Sequence, residues 1–194
     1  MSIRRHGSRM LVAMCFLWVS GCALPGPVVP DIHGRNQSPL GPDGSDLVAL
    51  IFTSPDCPVA NAMTPEFERL HQRTKAAGGT LYLVHVRGDV TAKQAHSHAT
   101  QRGMTMEVLL DGDHALVNHL GASVTPEGIV LVREGSTWRT VYQGRINNLY
   151  AAIGDRRDKA TRHWMREAID AAAAGANFEK PWPSPIGCFI EATP

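Results

Sequence analysis

The sequence predicts an α/β sandwich in which helices flank a mixed central sheet, and three observations support this fold class. Apolar runs of strand length alternate with helical stretches through the first part of the domain. A β-hairpin pattern follows, and an amphipathic helix comes last. Alternating strands and helices indicate parallel strands, whereas a hairpin adds antiparallel ones, so a mixed sheet is expected.

The first half of the domain contains three predicted strands and three predicted helices. Leu47 to Thr53 is apolar almost throughout, which is typical of a strand buried on both faces. A helix is predicted from about Pro58 to Ala77, with a kink at Pro65. The next elements in chain order are a buried strand over 81–86, a helix over 91–102, a short strand over 106–110 and a helix over 113–120.

The second half of the domain contains the predicted hairpin and the last helix. Residues 128–132 and 137–142 are strand-like, and the turn between them contains a glycine. The last helix is predicted from Thr161, a suitable N-cap, to Ala174. The tail, residues 176–194, is rich in proline around Cys188, which disfavours a helix or a central strand. We therefore expect the tail to be mobile and to lie extended over the surface.

Residues 1–22 are predicted to be a lipoprotein export signal. Three arginines precede an apolar stretch from Met10 to Val19, which is too short to span a bilayer. The stretch leads into Val19-Ser20-Gly21-Cys22, which resembles a bacterial lipobox, so Cys22 is expected to carry a lipid. An ordinary cleaved signal or an uncleaved anchor is the alternative. We expect an exported protein, attached to a bacterial membrane only through the lipid and facing the periplasm or the exterior.

The composition limits the classes of partner and cofactor. The chain has 19 Lys+Arg against 18 Asp+Glu, a net charge of +1, which gives no electrostatic reason to bind nucleic acid. Residues 23–45 are rich in Pro and Gly and are predicted to be a flexible tether, which leaves one domain over residues 46–175. No metal is expected, because the histidine pairs His96/His98 and His114/His119 are poorly spaced for one helix face. No cofactor is expected either.

Cys57 is the candidate catalytic residue. It follows a predicted buried strand and begins a predicted helix, where the helix dipole and unpaired N–H groups stabilise a thiolate. Pro58 suits the first helical turn, since its missing N–H would be unpaired there. The negative charge of Asp56 opposes the thiolate. A buried and unreactive thiol is the alternative interpretation of Cys57.

Cys188 is the candidate partner of Cys57. Cys15 would leave with the signal, and Cys22 would be lipidated, so Cys57 and Cys188 would remain as the two protein thiols. Outside the cytoplasm such a pair persists as a disulfide more readily than inside it. A structural disulfide and a redox-active pair both remain open at this stage.

These residues resemble the thioredoxin fold, in the group of exported redoxins and peroxiredoxin-like proteins of the AhpC/TSA type. The resemblance covers roughly residues 46–174. It rests on Cys57 at the start of a helix, on Pro65 eight residues later, and on Val124-Thr125-Pro126 before the hairpin. It implies a thioredoxin-like sandwich with an extra strand and helix before the hairpin, and a cis peptide bond at Pro126. It also implies that substrate lies against Ser54, Pro58, Thr125 and Pro126.

Departures from the family patterns leave the activity open. Ala60 stands where thioredoxins have a second cysteine, and Leu50 stands where peroxiredoxins have a proline. The resemblance implies a thiol oxidoreductase with Cys57 as nucleophile and Cys188 as candidate resolving thiol. Its reaction would be disulfide exchange or peroxide reduction. Its expected partners are a protein disulfide or a peroxide, together with an external thiol reductant. The alternative is a redox-inactive module that holds a partner protein in the cleft beside Pro126.

Overall fold

A computed structural model describes residues 26–191 of the chain. The predicted export signal with Cys22 lies outside the described residues. Among residues 26–191, no helix is both long enough and apolar enough to cross a membrane. The elements, in chain order, are β1 (Val29–Pro30), β2 (Asn36–Gln37), β3 (Leu47–Thr53), α1 (Pro58–Ala76), β4 (Thr80–His85), α2 (Ala92–Gln101), β5 (Glu107–Leu110), α3 (Ala115–Leu120), β6 (Val124–Thr125), β7 (Glu127–Glu134), β8 (Thr137–Gly144), β9 (Tyr150–Ala152), β10 (Asp155–Arg156), α4 (Trp164–Ala173) and β11 (Cys188–Phe189).

Five strands form the central sheet, in the order β5–β4–β3–β7–β8. Strands β3, β4 and β5 are parallel. Strand β7 runs antiparallel to β3, and β8 runs antiparallel to β7. The predicted mixed sheet with flanking helices is therefore confirmed. The parallel strands all end at the same edge of the sheet, where the loops that follow them meet.

The central strand β3 separates two hydrophobic cores. Leu47, Ala49 and Ile51 pack on the face covered by α1, α2 and α4. The other face is covered by α3 and by the hairpin that β1 and β2 form, and it contains the intervening residues of β3, Val48, Leu50 and Phe52. Every residue of β3 is buried, as its apolar sequence predicts. Strand β3 thereby places the loop that follows it, residues 54–57, at a fixed position at the edge of the sheet.

The start of α4 differs from the prediction. The helix begins at Trp164, and its N-cap is His163 rather than Thr161. Thr161 belongs instead to a loop closed by Asn148, whose Oδ1 accepts hydrogen bonds from the N–H groups of Thr161 and Arg162. The Thr161 hydroxyl accepts a hydrogen bond of 2.9 Å from Asn148 Nδ2, so it serves this loop rather than capping the helix.

The prediction of a flexible tether is wrong for residues 26–45, the part of this segment that the structure describes. Strands β1 and β2 form a hairpin, and Val29 and Leu40 bury their side chains in a core. Asp31 is buried at the turn, where its carboxylate accepts hydrogen bonds from the N–H groups of His33 and Arg35 and from the Arg35 guanidinium. Proline and glycine serve tight turns in this segment, so its composition resembles that of a linker although it packs on the domain.

The C-terminal tail is extended, as predicted, but it packs on the domain rather than lying loosely on its surface. The rings of Phe178 and Trp182 contact the ring of Tyr142 in β8. Gly144 allows the tail to approach closely, since its φ is +148° and an added Cβ would lie 2.4 Å from the Pro183 carbonyl oxygen. Cys188 and Phe189 of the tail form β11, which pairs antiparallel with β6.

A pair of histidines is buried where the parallel strands end. His85 is the last residue of β4, and its ring meets the ring of His98 from α2 edge to face, with 5.3 Å between ring centroids. Among the described residues, neither ring nitrogen of His85 has a hydrogen-bond partner. Burial, with a smaller contribution from His98, lowers the pKa of His85 to about 3. His85 is therefore neutral in the folded protein at ordinary pH.

The buried His85 predicts a loss of stability in mild acid. Because the unfolded chain binds this proton near pH 6.5 and the folded chain does not until about pH 3, stability is greatest above pH 6.5 and falls below it. Between about pH 7 and about pH 5, His85 alone lowers the free energy of unfolding by about 2 kcal/mol. Urea unfolding at both pH values measures this difference. His85→Leu should reduce it, and His96→Leu, at an exposed position, should leave it unchanged.

Candidate active site

Cys57 lies where β3 ends and α1 begins. It is the N-cap residue of α1, and Pro58 occupies the first helical position, as predicted. The Cys57 N–H donates to the Ser54 carbonyl oxygen, and the Cys57 carbonyl oxygen accepts from the Asn61 N–H. The sulfur therefore sits at the positive end of a 19-residue helix, an environment that favours a thiolate.

The sulfur atoms of Cys57 and Cys188 are in contact. Cys188 Sγ lies 2.9 Å from Cys57 Sγ, and both residues are free cysteines. The Cys57 thiol donates a hydrogen bond of 3.0 Å to the Thr125 carbonyl oxygen. The Thr125–Pro126 peptide bond is cis, as the resemblance implies. The fold thus brings two predicted residues, Thr125 and Cys188, to the Cys57 sulfur, and Pro126 follows Thr125 directly.

The two thiols differ in acidity. Burial opposes ionisation of Cys57. Hydrogen bonds from the Cys188 thiol, from the Ala60 N–H and from the Thr125 side chain stabilise the thiolate and outweigh burial, so the pKa of Cys57 is lowered. Burial and the neighbouring Cys57 raise the pKa of Cys188 to about 11. When one proton leaves the pair, Cys57 therefore carries the charge and Cys188 keeps the remaining proton.

A cleft of about 690 Å³ opens beside Cys57. Its lining comes from the loops that follow the three parallel strands, from Thr125, and from residues 188–191 of the tail. Ser54, which was predicted to contact substrate, is part of this lining, and its hydroxyl lies 3.4 Å from the Asp56 N–H. Ligands of open α/β sheets usually bind at the carboxyl ends of the strands, so this cleft is the expected place for a substrate.

Arg87 offsets the charge that Asp56 brings to the site. Its guanidinium lies 2.9 Å from the Asp56 carboxylate and also pairs with Asp89. The Asp56 carboxylate is largely exposed and paired, so its effect on the neighbouring Cys57 thiolate is weakened by solvent and by Arg87. No sequence pattern indicated Arg87, because its contact with Asp56 joins loops that follow different strands.

Glu127 fixes the segment that faces Cys57. Its buried carboxylate accepts hydrogen bonds from the N–H groups of Ser123 and Val124, and Gln143 donates to its other oxygen. These contacts hold β6 in place, and β6 in turn orients the Thr125 carbonyl toward the Cys57 sulfur. Buried carboxylates that are fully hydrogen-bonded to backbone rigidify the segment that they contact.

Asn61 fixes the loop on the other side of Cys57. Its Nδ2 donates to the Pro55 carbonyl oxygen at 2.6 Å, and its Oδ1 lies 2.7 Å from His98 Nε2. The amide orientation requires His98 to donate from Nε2, so the neutral ring carries its proton there. His98 therefore holds a position in the fold as a hydrogen-bond donor. Among the described residues, no group of three or more His, Cys, Asp or Glu is placed to hold a metal ion.

Comparison with known proteins gives one family match. The AhpC/TSA family model matches residues 28–143, a segment that contains Cys57 and Pro126 but ends before Cys188. No curated protein matches the chain.

Several solved structures share the fold. A hypothetical protein from Sinorhizobium meliloti 1021 has a TM-score of 0.72 at 21% identity, over 86% of this chain and 90% of its own. An uncharacterized conserved protein from Geobacillus kaustophilus has a TM-score of 0.72 at 18% identity, over 89% and 90% of the two chains. A secreted disulfide oxidoreductase of Mycobacterium tuberculosis, homologous to E. coli DsbE, has a TM-score of 0.53 at 13% identity, over 76% and 94%. At these identities the likeness shows the fold alone.

The hydrogen bond from Cys188 predicts how the acidity of Cys57 responds to substitution. Cys188→Ala removes the donor and should raise the pKa of Cys57, whereas Cys188→Ser retains a donor and should raise it less. The pH dependence of iodoacetamide alkylation at Cys57, followed by peptide mass spectrometry, measures the pKa in each variant. At neutral pH the alanine variant should react several-fold more slowly than the serine variant. Equal pKa values in the two variants would contradict a role for this hydrogen bond.

Proposed function

The chain belongs to the AhpC/TSA family of thioredoxin-fold redoxins, and we propose that it is an exported, lipid-anchored thiol oxidoreductase. In this proposal Cys57 attacks the oxidant and Cys188 resolves the product. The observation that carries it is the 2.9 Å contact between the two sulfur atoms beside Thr125–Pro126. Export and lipid attachment rest on the sequence pattern of residues 1–22.

The Cys57 thiolate is the nucleophile of the first step. With a disulfide it forms a mixed disulfide and releases the other sulfur as a thiolate. With a hydroperoxide it forms a sulfenic acid and releases hydroxide or alkoxide. In both cases Cys57 loses its negative charge. That charge contributes to the raised pKa of Cys188, so Cys188 ionises more easily once the first step is complete.

Cys188 carries out the second step. Its thiolate attacks Cys57 Sγ and forms the Cys57–Cys188 bond. The group that leaves is the substrate thiolate, or hydroxide from the sulfenic acid, which takes up a proton to become water. Because the two sulfur atoms are already in contact, neither segment has to move far to form the bond.

An external thiol then restores the reduced pair. Cys188 is partly exposed whereas Cys57 is buried, so the reductant has better access to the Cys188 sulfur. Attack there releases Cys57 as the thiolate. A thiol with a lowered pKa is the better leaving group, so the acidity difference of the pair favours reduction from this side. A second thiol of the reductant completes its oxidation and frees Cys188.

The alternative of a redox-inactive binding module has less support. Its motivation is Ala60, which stands in place of the second motif cysteine. A second thiol nevertheless contacts Cys57, and it comes from the tail. The tail also lies along β6 beside Pro126, in the place where a bound partner protein would lie.

The proposal predicts a disulfide between Cys57 and Cys188 in the oxidised protein. Treatment of the reduced wild-type chain with hydrogen peroxide or with a small disulfide should produce it, and peptide mapping without reduction should detect the linked peptides. In Cys188→Ser the same treatment should leave Cys57 as a sulfenic acid, which dimedone traps, or as a mixed disulfide. Failure of both oxidants to join the two cysteines would refute the proposed mechanism.

The two reactions can be distinguished with the Cys188→Ser variant. Stopped-flow mixing with hydrogen peroxide at micromolar concentration should consume the Cys57 thiol rapidly if peroxide is the substrate. Slow loss with peroxide together with rapid loss with a disulfide would assign disulfide exchange. Cys57→Ser is the control, since it should be inert toward both oxidants at this site.

A further inference from the structure

We propose that strand β11 restricts Cys57 to oxidants small enough to enter the adjoining cleft, and that Gly187 is the residue that determines this restriction. The inference rests on the proposed function, because it concerns which substrates reach the Cys57 sulfur. It assigns low-molecular-weight oxidants, such as hydroperoxides or small disulfides, as the substrate class while the tail is docked. Protein disulfides are excluded in that state.

The tail occupies the edge at which an extended polypeptide would bind. Cys188 and Phe189 pair antiparallel with Thr125 and Val124, and the Ile190 N–H donates to the Ser123 carbonyl oxygen at 3.0 Å. A free strand edge offers its backbone groups to another chain, but here the tail already uses them. A protein substrate would have to displace β11 before it could pair with β6.

The cleft leaves a narrower route to Cys57. Cys57 is only 1% exposed, yet it lies at the wall of a cleft of about 690 Å³. Residues 188–191 of the tail line this cleft together with the loops after β3, β4 and β5. Clefts of this volume hold small molecules. A disulfide of a folded protein could not enter such a cleft together with the polypeptide on either side of it.

Gly187 is the position at which docking of the tail is most constrained. A Cβ added there would lie 1.9 Å from the Thr125 carbonyl oxygen and 2.7 Å from the Thr125 carbonyl carbon. Both are backbone atoms of the strand that faces Cys57, so they cannot move aside as a flexible side chain could. Any side chain at this position therefore separates β11 from β6.

The tail before Gly187 is anchored independently. The Pro183 and Ser184 carbonyl oxygens accept hydrogen bonds from the Arg145 N–H and from its guanidinium. Ile186 packs against the core. By contrast, β11 has only two paired residues, and the Phe189 side chain is 80% exposed. Displacement of β11 should therefore leave the rest of the domain folded.

Two maleimides of different size test the restriction. Cys188→Ser in the full chain removes the thiol that contacts Cys57, and peptide mass spectrometry reads modification at Cys57 separately from Cys15 and Cys22. The probes are N-ethylmaleimide and a maleimide that carries a polyethylene glycol chain of protein size. In Cys188→Ser the large probe should react much more slowly than the small one. Adding Gly187→Ala should speed the large probe by about tenfold or more, because the accessible fraction rises, while the small probe changes little.

Two further variants serve as controls. Gly44→Ala places a Cβ no nearer than 3.6 Å to other atoms, so it should leave both rates unchanged. Deletion of residues 188–194 removes β11 altogether and should match Gly187→Ala. Equal rates of the large probe with and without β11 would overturn the restriction. A Cys57 that resists even the small probe after the deletion would instead refute the proposed function, because its thiol would not be a nucleophile.

Discussion

The pairing of β11 with β6 is the contact on which the candidate site depends. It joins cysteines that are 131 residues apart in sequence and gives Cys57 its thiol partner. Ordering a tail costs about 1–2 kcal/mol per residue in backbone entropy, which two strand pairs cannot offset. Apolar contacts further upstream supply the difference, since Phe178, Trp182 and Ile186 pack against the core and hold the tail beside the site.

Electrostatics gives the two thiols different roles once they are in contact. Two thiolates at this distance would repel each other strongly, so the pair readily loses only one of its two protons. The charge resides on Cys57, which has the Ala60 N–H and the helix dipole near its sulfur, whereas Cys188 on a short strand has neither. The roles proposed for the two thiols, nucleophile and resolving thiol, thus follow from position in the fold, although the two side chains are chemically identical.

Local sequence patterns predicted the elements that hold Cys57, while contacts distant in sequence were out of their reach. The strand Leu47–Thr53 and the helix from Pro58 were predicted closely, because burial on both faces and the N1 proline are visible in a few neighbouring residues. The hairpin turn that Asp31 stabilises was missed. A segment rich in Pro and Gly has the same composition in a flexible linker and in a tight hairpin. Cys188 was a candidate partner of Cys57 only because Cys15 and Cys22 were assigned to the export signal. Its contact with Cys57, like that of His85 with His98, depends on how separate elements pack, which no local pattern contains.

The placement of the second thiol alters what the site can accept. In thioredoxins the second cysteine would stand at position 60, within α1, and would leave the edge of β6 free. Here that position is Ala60, which is buried in the core. Cys188 instead lies on a strand that uses this same edge, so the proposed resolution step and the binding of an extended substrate would compete for one set of backbone groups. Cys188 can contact Cys57 only while β11 lies along β6. In the proposed mechanism, such a site has its resolving thiol within contact distance and is closed to large substrates, and both consequences come from the same strand.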